Sequence, residues 1–140
     1  MNYLLDTCVL SELLKRRPEK SVTGWISSVP EYNLFLSILT LGEIYKGIAK
    51  LYPGEKKEKL VEWVEHDLKT RFEGRIVNLN EEIVKTWGDI TGEAERRGKK
   101  WPVLDTLLAS TALANHMAFV TRNIHHVEEL GVKVLDPWES

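Results

Sequence analysis

Two aspartates stand where an uncompensated charge would be costly. Asp105 lies in residues 103–114, where apolar side chains cover nearly the whole helical circumference at about 100° per residue. A helix that is apolar all round is expected to be buried, and a carboxylate inside it needs a partner, because an unpaired buried charge is costly. Asp6 ends a second apolar run, residues 3–5. Two acids at the ends of buried elements predict a cation between them.

Each acid also fits a simpler structural role. An aspartate directly after a strand and before a helix is commonly the N-cap of that helix, and Asp6 is in that position. Asp105 could stabilise a helix N-terminus through the macrodipole. Glu43 falls on the polar flank of its helix near Lys46, so periodicity alone predicts a solvated surface glutamate with a lysine neighbour. At this point, cation binding and the structural roles both remain open.

Carboxylates that are brought together favour Mg²⁺ or Mn²⁺, which are hard cations that take oxygen ligands. The chemistry that suits such a site is phosphoryl transfer, in which the metal activates a water, orients it in line and neutralises charge on the phosphate. Without a metal, crowded carboxylates would raise one another's pKa values. The aspartates therefore suggest a magnesium or manganese site.

Short apolar runs and longer amphipathic segments predict the elements that must position these acids. Strands are predicted at residues 2–5, 34–37, 75–77, 118–121 and 132–135. Helices are predicted at residues 8–15, 18–28, 38–51, 55–72, 80–97, 103–114 and 123–130. Pro18 fits the first turn of the second helix, Asn80 opens the fifth, Gly98 ends it, and Asn123 is a possible cap for the last.

Short apolar strands among many helices predict an α/β sandwich with a mostly parallel central sheet flanked by helices. Several helices follow one another without an intervening strand, which argues against a regular doubly wound βα alternation. In open α/β sheets, sites lie at the carboxyl ends of strands. Asp6 and residues 121–123 both fall at such ends.

The 140 residues fit a single domain, residues 1–140, with a sizeable core. A hydrophobic fraction of 43% and a charged fraction of 29% are ordinary for a globular protein. The net charge of −2 argues against binding nucleic acid by bulk charge, and the basic runs at residues 15–17 and 96–100 are expected to be solvated surface.

The cysteine content and the ends of the chain bear on its compartment. The single cysteine, Cys8, excludes an intrachain disulfide and a cysteine-based zinc site. Residues 1–6 lack a basic n-region and a long apolar h-region, so no secretory signal is expected, and no apolar run approaches the ~18 residues of a membrane span. A reducing cytoplasm is the expected location.

Several blocks of the sequence together resemble a known family. Residues 3–13 (YLLDTCVLSEL) resemble the opening of PIN-domain proteins and, more narrowly, of VapC-type toxins of bacterial and archaeal toxin–antitoxin pairs. Residues 37–47 (SILTLGEIYKG) are similar to the second block of that family, a strand end followed by a helix bearing a glutamate. Further blocks follow in order along essentially the whole chain: residues 102–112 (PVLDTLLASTA), 120–123 (VTRN) and the tail 135–138 (LDPW).

The resemblance implies a PIN-like three-layer sandwich and a metal-dependent endoribonuclease. It implies that Asp6, Glu43 and Asp105 gather in one pocket and bind Mg²⁺ or Mn²⁺; Glu43 joins this set only through the resemblance. The implied partners are RNA, a small antitoxin protein that occupies the pocket, and a second copy of the chain in a homodimer. Supporting roles are expected for further residues: Thr7, Thr121 and Asn123 around the metal, and Arg122 or Lys46 along the RNA backbone.

The chain departs from the family pattern after the fourth block. Many members place a further acid there, whereas this sequence has Asn123 and His126. Asn123 can still orient a metal-bound water through its amide, but a second metal ion is less secure with three carboxylates than with four. His125 and His126 are expected to be ordinary surface residues, and Glu12 is a candidate partner for a basic group.

Two other functions compete with the nuclease. A receiver-like signalling module also binds Mg²⁺ with an aspartate at a strand end, but it needs a regular βα alternation and an acidic pair beside the phosphoacceptor, neither of which is found here. A PIN-like binding scaffold without catalysis stays open because the fourth acid is missing.

Overall fold

A computed structural model describes residues 1–139, except for the side chain of His126. Within these residues, five parallel strands form one sheet in the order β3-β2-β1-β4-β5. The strands are β1 Asn2–Leu5, β2 Leu34–Ser37, β3 Ile76–Val77, β4 Met117–Val120 and β5 Val134–Leu135. The α-helices are α1 Thr7–Leu13, α2 Lys20–Ser28, α3 Ile38–Ala49, α4 Glu55–Glu62, α5 Lys69–Arg71, α6 Glu81–Arg96, α7 Val103–Ala114 and α8 Ile124–Val127.

Three shorter helical segments complete the chain. Glu31–Asn33 and Glu128–Leu130 are 3₁₀ turns, and Trp63–Leu68 is a π-helical segment between α4 and α5. Within residues 1–139, no helix is long and apolar enough to cross a membrane.

Alternation along the strands divides the core between the two faces of the sheet. Leu5 and Val120 pack into one cluster, with side chains of α1 to α4 and of the π-helical segment. Leu4 and Phe119 pack into the other, with side chains of α6 to α8. Because successive side chains of a strand point to opposite faces, both faces of the sheet are apolar and each is covered by helices. The predicted three-layer α/β sandwich is confirmed.

Most predicted elements are confirmed to within a few residues, and several details are wrong. Pro18 lies before α2, whose N-cap is Glu19, rather than in its first turn. The helix predicted at residues 55–72 contains the π-helical segment, and the one at 123–130 is divided between α8 and a 3₁₀ turn. Asn123 precedes α8 but its side chain makes no capping hydrogen bond.

The helix ends around α6 confirm the local signals. Asn80 Oδ1 accepts a hydrogen bond of 2.9 Å from the backbone N–H of Ile83, which caps the helix. Gly98 adopts a φ of 79°, the left-handed conformation that favours glycine after a helix. The loop that follows leads directly into α7, which begins two residues before Asp105.

The strand order brings several chain segments to one edge of the sheet. Leu5 pairs with Val120 at the carboxyl ends of β1 and β4, and the N–H of Asp6 donates to the Val120 carbonyl at 2.9 Å. The end of β2 lies on the other side of β1 and continues into α3 through Ser37, the buried N-cap of that helix. Asp6, the start of α3 and Thr121 therefore lie around the same edge, as the sequence predicted for Asp6 and residues 121–123.

Candidate active site

Asp6 is held by donors on both of its carboxylate oxygens. Its Oδ1 accepts from the backbone N–H of Thr7 at 2.8 Å, so Asp6 is indeed the N-cap of α1. Its Oδ2 accepts from the Thr121 hydroxyl at 2.7 Å. Thr121 is fully buried, and its Oγ1 in turn accepts from the Asn123 N–H at 3.1 Å. The side chain of Asp6 is thereby fixed at the point where β1 and β4 end.

Glu43 is tied to the same edge from α3. Its Oε1 accepts a hydrogen bond of 2.6 Å from the Thr7 hydroxyl, and its side chain is half-buried. The expectation of a solvated surface glutamate, drawn from the helical wheel, is therefore wrong. A wheel shows only the contacts of one helix, whereas Thr7 comes from a segment 36 residues earlier in the chain.

Asp105 lies in the first turn of α7 and is half-buried. The helix is buried mainly from Thr106 onward, and Val103, its first residue, is 57% exposed. The expectation of a carboxylate enclosed within an apolar helix is therefore too strong, because the helix start lies at the surface. The position remains compatible with stabilisation of the helix N-terminus.

The charges of these acids act on one another. Burial raises the pKa of Asp6, hydrogen bonds from Thr121 and Thr7 oppose that rise, and the charge of Asp105 adds to it. Burial also raises the pKa of Glu43, and the charges of Asp6 and Asp105 add to this effect. The hydrogen bond from Thr7 and the Lys46 ammonium lower it. Asp6 and Glu43 therefore lie in one electrostatic environment that favours their neutral forms, and the charge of Asp105 is part of it.

Cys8 lies against this group and was not singled out by the sequence. Its Sγ is 3.8 Å from Asp6 Oδ2 and 3.8 Å from Thr121 Oγ1. Burial raises the pKa of the thiol, and the charge of Asp6 adds to the rise. The thiol is thus held in its neutral form as part of the wall beside Asp6.

The predicted cations lie around the acids. Lys46 is exposed on α3, one turn beyond Glu43. Arg122 is exposed at the end of β4, and its guanidinium carbon lies 4.4 Å from the centroid of the Trp138 ring. Glu12, the candidate partner for a basic group, is buried, and its Oε1 accepts a hydrogen bond of 2.9 Å from Lys15 Nζ. His125 is exposed, as expected, while the His126 side chain lies outside the described part of the chain.

Comparison with known proteins decides the family. The sequence pattern of the PIN domain matches residues 3–129. The chain is 33% identical over 137 residues to the toxin FitB of Neisseria gonorrhoeae, covering 98% of this chain and 99% of that protein. This chain belongs to the PIN-domain family.

Two further likenesses agree with this assignment. A solved structure of FitAB bound to an IR36 DNA fragment matches with a TM-score of 0.92 at 33% identity, covering 99% of this chain and 96% of the solved one. The VapC ribonuclease Y4jK of Sinorhizobium fredii is 29% identical over 136 residues, covering 97% of each protein. The predicted family resemblance is confirmed, and the regular alternation of a receiver-like module is absent from residues 1–139.

The donor chemistry of this PIN domain fits a hard divalent cation. Asp6, Glu43 and Asp105 offer only oxygen ligands. The charge of a bound cation would offset the cost of burial and the repulsion that raise the pKa values of Asp6 and Glu43. Within the described residues, no group of three or more His, Cys, Asp and Glu side chains is gathered tightly enough to hold a metal by itself. Mg²⁺ commonly keeps several waters and binds through one or two carboxylates, so a complete protein cage is not required.

The sequence also gives no indication of a hydrogen bond that holds α7 against α6. Trp87 Nε1 donates to Thr106 Oγ1 at 2.9 Å, which fixes the residue next to Asp105 against α6. The contact joins residues 19 positions apart, and no local pattern marks it. The PIN domain thus anchors its acids through contacts between elements: Thr7 and Thr121 bind Glu43 and Asp6 directly.

Proposed function

We propose that this PIN domain is a metal-dependent endoribonuclease and the toxin of a toxin–antitoxin pair. The observation that carries the proposal is the placement of Asp6 and Glu43 at one sheet edge, held by Thr121 and Thr7, with the charge of Asp105 acting on both. Relatives named as a toxin and as a ribonuclease over nearly the full chain support it.

Asp6 and Asp105 would hold Mg²⁺ or Mn²⁺, with Glu43 as the third carboxylate of the site. When bound, the metal supplies an activated water and neutralises charge on the phosphate. The residues of the chain perform the positioning. Thr121 orients Asp6 and Thr7 orients Glu43, while the amide of Asn123, which is exposed and free of a capping bond, is available to orient water.

Phosphate binding is assigned to the cations at the rim of the site. Arg122 follows Thr121 directly, and Lys46 is one turn from Glu43. Since the chain carries a net charge of −2, such local cations rather than the overall charge must attract the RNA backbone. We place the activity in the cytoplasm, where RNA is available.

A groove beside the acids is the proposed seat of the antitoxin. It has a volume of about 450 Å³ and lies between α1, α3 and α4. Thr7 and Glu43 line one part of it, and its apolar lining includes Leu10, Ile44 and Trp63. A protein segment seated here would cover the side of Glu43 and so block the site. Association into homodimers, implied by the family, remains a prediction that sedimentation would test.

The experiment compares Asp105→Asn with Asp89→Asn, a matched change at an exposed acid on α6. In Mn²⁺ or Mg²⁺, the purified parent should cut transfer or ribosomal RNA. Asp105→Asn should cut at least about 100-fold more slowly because the site loses a carboxylate, whereas Asp89→Asn should cut like the parent. Gel analysis of RNA gives the rate, and circular dichroism verifies the fold.

Two results would contradict the proposal in different ways. If Asp105→Asn cuts RNA as fast as the parent, Asp105 does not serve the reaction. If the folded parent binds RNA but cuts none with either metal, the chain is a non-catalytic scaffold.

A further inference from the structure

Arg122 and Trp138 form a stacked pair beside the acids. The guanidinium carbon of Arg122 lies 4.4 Å from the centroid of the Trp138 ring. Arg122 directly follows Thr121, whose hydroxyl binds Asp6. The stacked pair therefore lies at the carboxyl end of β4, where Asp6 is held.

Trp138 is a fixed platform because it is anchored on several sides. Its backbone N–H donates to Asp136 Oδ1 at 2.9 Å, and its ring packs against the core cluster that contains Leu5 and Val120. Its indole Nε1 is buried and makes no hydrogen bond of standard geometry. The pKa of Glu12 is lowered mainly by Lys15, and the indole N–H of Trp138 makes a smaller contribution. The aromatic face under Arg122 is thus set by the core and not by a mobile tail.

The stack leaves the hydrogen-bonding edge of Arg122 available. Among residues 1–139, Arg122 takes part in no salt bridge, whereas Arg71 and Arg75 bind Glu31 and Arg96 binds Glu93. A guanidinium that contacts an aromatic ring through its face keeps its N–H groups free to donate two parallel bonds to a phosphate.

We propose that Trp138 is a positioning residue that holds the Arg122 guanidinium at the rim of the acidic pocket to bind an RNA phosphate. This inference rests on the proposed nuclease function. A free arginine side chain loses rotamer entropy when it is fixed, and a stacked one has already lost part of it. Trp138 therefore strengthens RNA binding without touching RNA.

A double-mutant cycle on Trp138 and Arg122 tests the proposal. The probe is a short fluorescein-labelled single-stranded RNA of random sequence, with Ca²⁺ in place of Mn²⁺ and a gel to verify that the RNA stays intact. Anisotropy is measured over a range of salt concentrations for the parent, Trp138→Leu, Trp138→Phe, Arg122→Ala and the Trp138→Leu/Arg122→Ala double variant.

Trp138→Leu should weaken binding about 2- to 10-fold, the range of a cation–π contact at a partly exposed site. Trp138→Phe should retain most of the affinity, and the double variant should bind no more weakly than Arg122→Ala alone. Arg122→Ala should reduce the slope of log affinity against log salt by about 0.7, as expected for one lost phosphate contact on a single strand. Trp138→Leu should reduce the slope by part of that amount.

Trp25→Leu is the matched control for losing an indole from the core. Trp25 is half-buried, packs against the same core cluster and makes an edge-to-face contact with Tyr3 at 5.0 Å, but not with Arg122. It should lower the melting temperature without changing the salt slope. If Trp138→Leu weakens binding equally with and without Arg122, or if Trp25→Leu has the same effect on binding, Trp138 has only a structural role.

The two proposals fail in different ways. A parent that cuts RNA, together with a Trp138→Leu variant that binds RNA with unchanged affinity and salt slope, overturns the inference about Trp138 alone. A parent that neither binds nor cuts RNA overturns the nuclease proposal, and with it this inference.

Discussion

Asp105 contributes repulsion to the site, in addition to its proposed role as a metal ligand. Its charge raises the pKa values of Asp6 and Glu43, which are already raised by burial. In EDTA, the melting temperature of Asp105→Asn should therefore equal or exceed that of the parent, because the substitution removes a negative charge that repels the carboxylates of Asp6 and Glu43. Adding Mn²⁺ should raise the melting temperature of the parent more than that of the variant, since a ligand that binds only the folded state stabilises it.

Differential scanning fluorimetry measures this effect, and Asp89→Asn again serves as the control. About 1 kcal/mol corresponds to a shift of about 2–4 °C for a chain of this size. A clear drop in the melting temperature of Asp105→Asn in EDTA would instead assign Asp105 to stabilising the start of α7 through the macrodipole.

The hydroxyl of Thr7 is the direct link between α1 and Glu43. Thr7→Val removes that donor at nearly constant shape and leaves the backbone N–H that binds Asp6. RNA cleavage should fall about 10-fold, by analogy with the loss of groups that orient metal ligands. Thr7→Ser retains the hydroxyl and should recover most of the rate. Equal cleavage rates for Thr7→Val and the parent would show that the Thr7 hydroxyl does not contribute to the reaction.

The residues of the candidate site differ in how well the sequence alone predicts them. Asp6 and Asp105 were found because each interrupts an apolar pattern in its own segment. Glu43 could not be found that way, since its burial depends on Thr7, which lies in a different element. The Arg122–Trp138 stack joins the ends of β4 and of the chain, so no spacing within either segment indicates it.

The elements themselves were largely predictable because their signals are local. β1 and β2 match their predicted residues, 2–5 and 34–37, since short apolar runs are bounded by polar or turn residues. The π-helical segment Trp63–Leu68 was missed because apolar spacing does not distinguish one extra residue per turn. Ile38 and Val61 fit the apolar periodicity of the helices predicted at 38–51 and 55–72, yet they are 38% and 42% exposed, since periodicity shows which face is apolar but not what covers it.

Glu31 links its own 3₁₀ turn to α5 and to the residue before β3, and it gives a stability test at this scale. It binds Arg71 of α5 at 3.0 Å and Arg75, before β3, at 3.1 Å. The hydrogen bond from Arg71 is the largest cause of its lowered pKa. A carboxyl with a lowered folded-state pKa stabilises the fold above its unfolded pKa of about 4.3, and that stability is lost as the pH falls through the folded value.

Glu31→Gln should therefore be less stable than the parent at neutral pH and equally stable in strong acid. Because the carboxylate is about half exposed, at 48%, solvent screening limits the loss to about 0.5–1 kcal/mol. Urea unfolding across the pH range measures it, with the exposed Glu73→Gln as a control. A deficit that stays constant down to low pH would show that the side chain acts through packing rather than charge.

At the scale of the whole molecule, the site depends on strand order. The sequence predicted that Asp6 and Thr121 lie at the carboxyl ends of strands, but it did not specify that β1 lies between β2 and β4. That order is what places Asp6, the start of α3 and Thr121 around one edge of the sheet. It depends on long-range pairing, which a single sequence without an alignment does not display.

A substitution in the groove between α1, α3 and α4 should separate RNA cleavage from neutralisation by the antitoxin. Leu14 lines the groove and is 43% exposed, whereas Thr7 and Glu43 line its other part. Leu14→Asp should place a charge in an apolar contact and so weaken antitoxin binding at least about 10-fold. It should leave RNA cleavage unchanged, since Leu14 lies at the C-terminal end of α1, opposite the end that carries Asp6 and Thr7. The cognate antitoxin would be co-expressed with each variant, and growth would be recorded.

Val84→Asp is the matched control, because Val84 is 44% exposed on α6, outside the groove lining. The parent and Val84→Asp should arrest growth when expressed alone and be rescued by the antitoxin, whereas Leu14→Asp should arrest growth in both conditions. Rescue of Leu14→Asp to the level of the parent would place the antitoxin on another surface. An arrest that disappears when Leu14→Asp is expressed alone, with RNA cleavage lost in vitro, would show instead that the groove belongs to the substrate path.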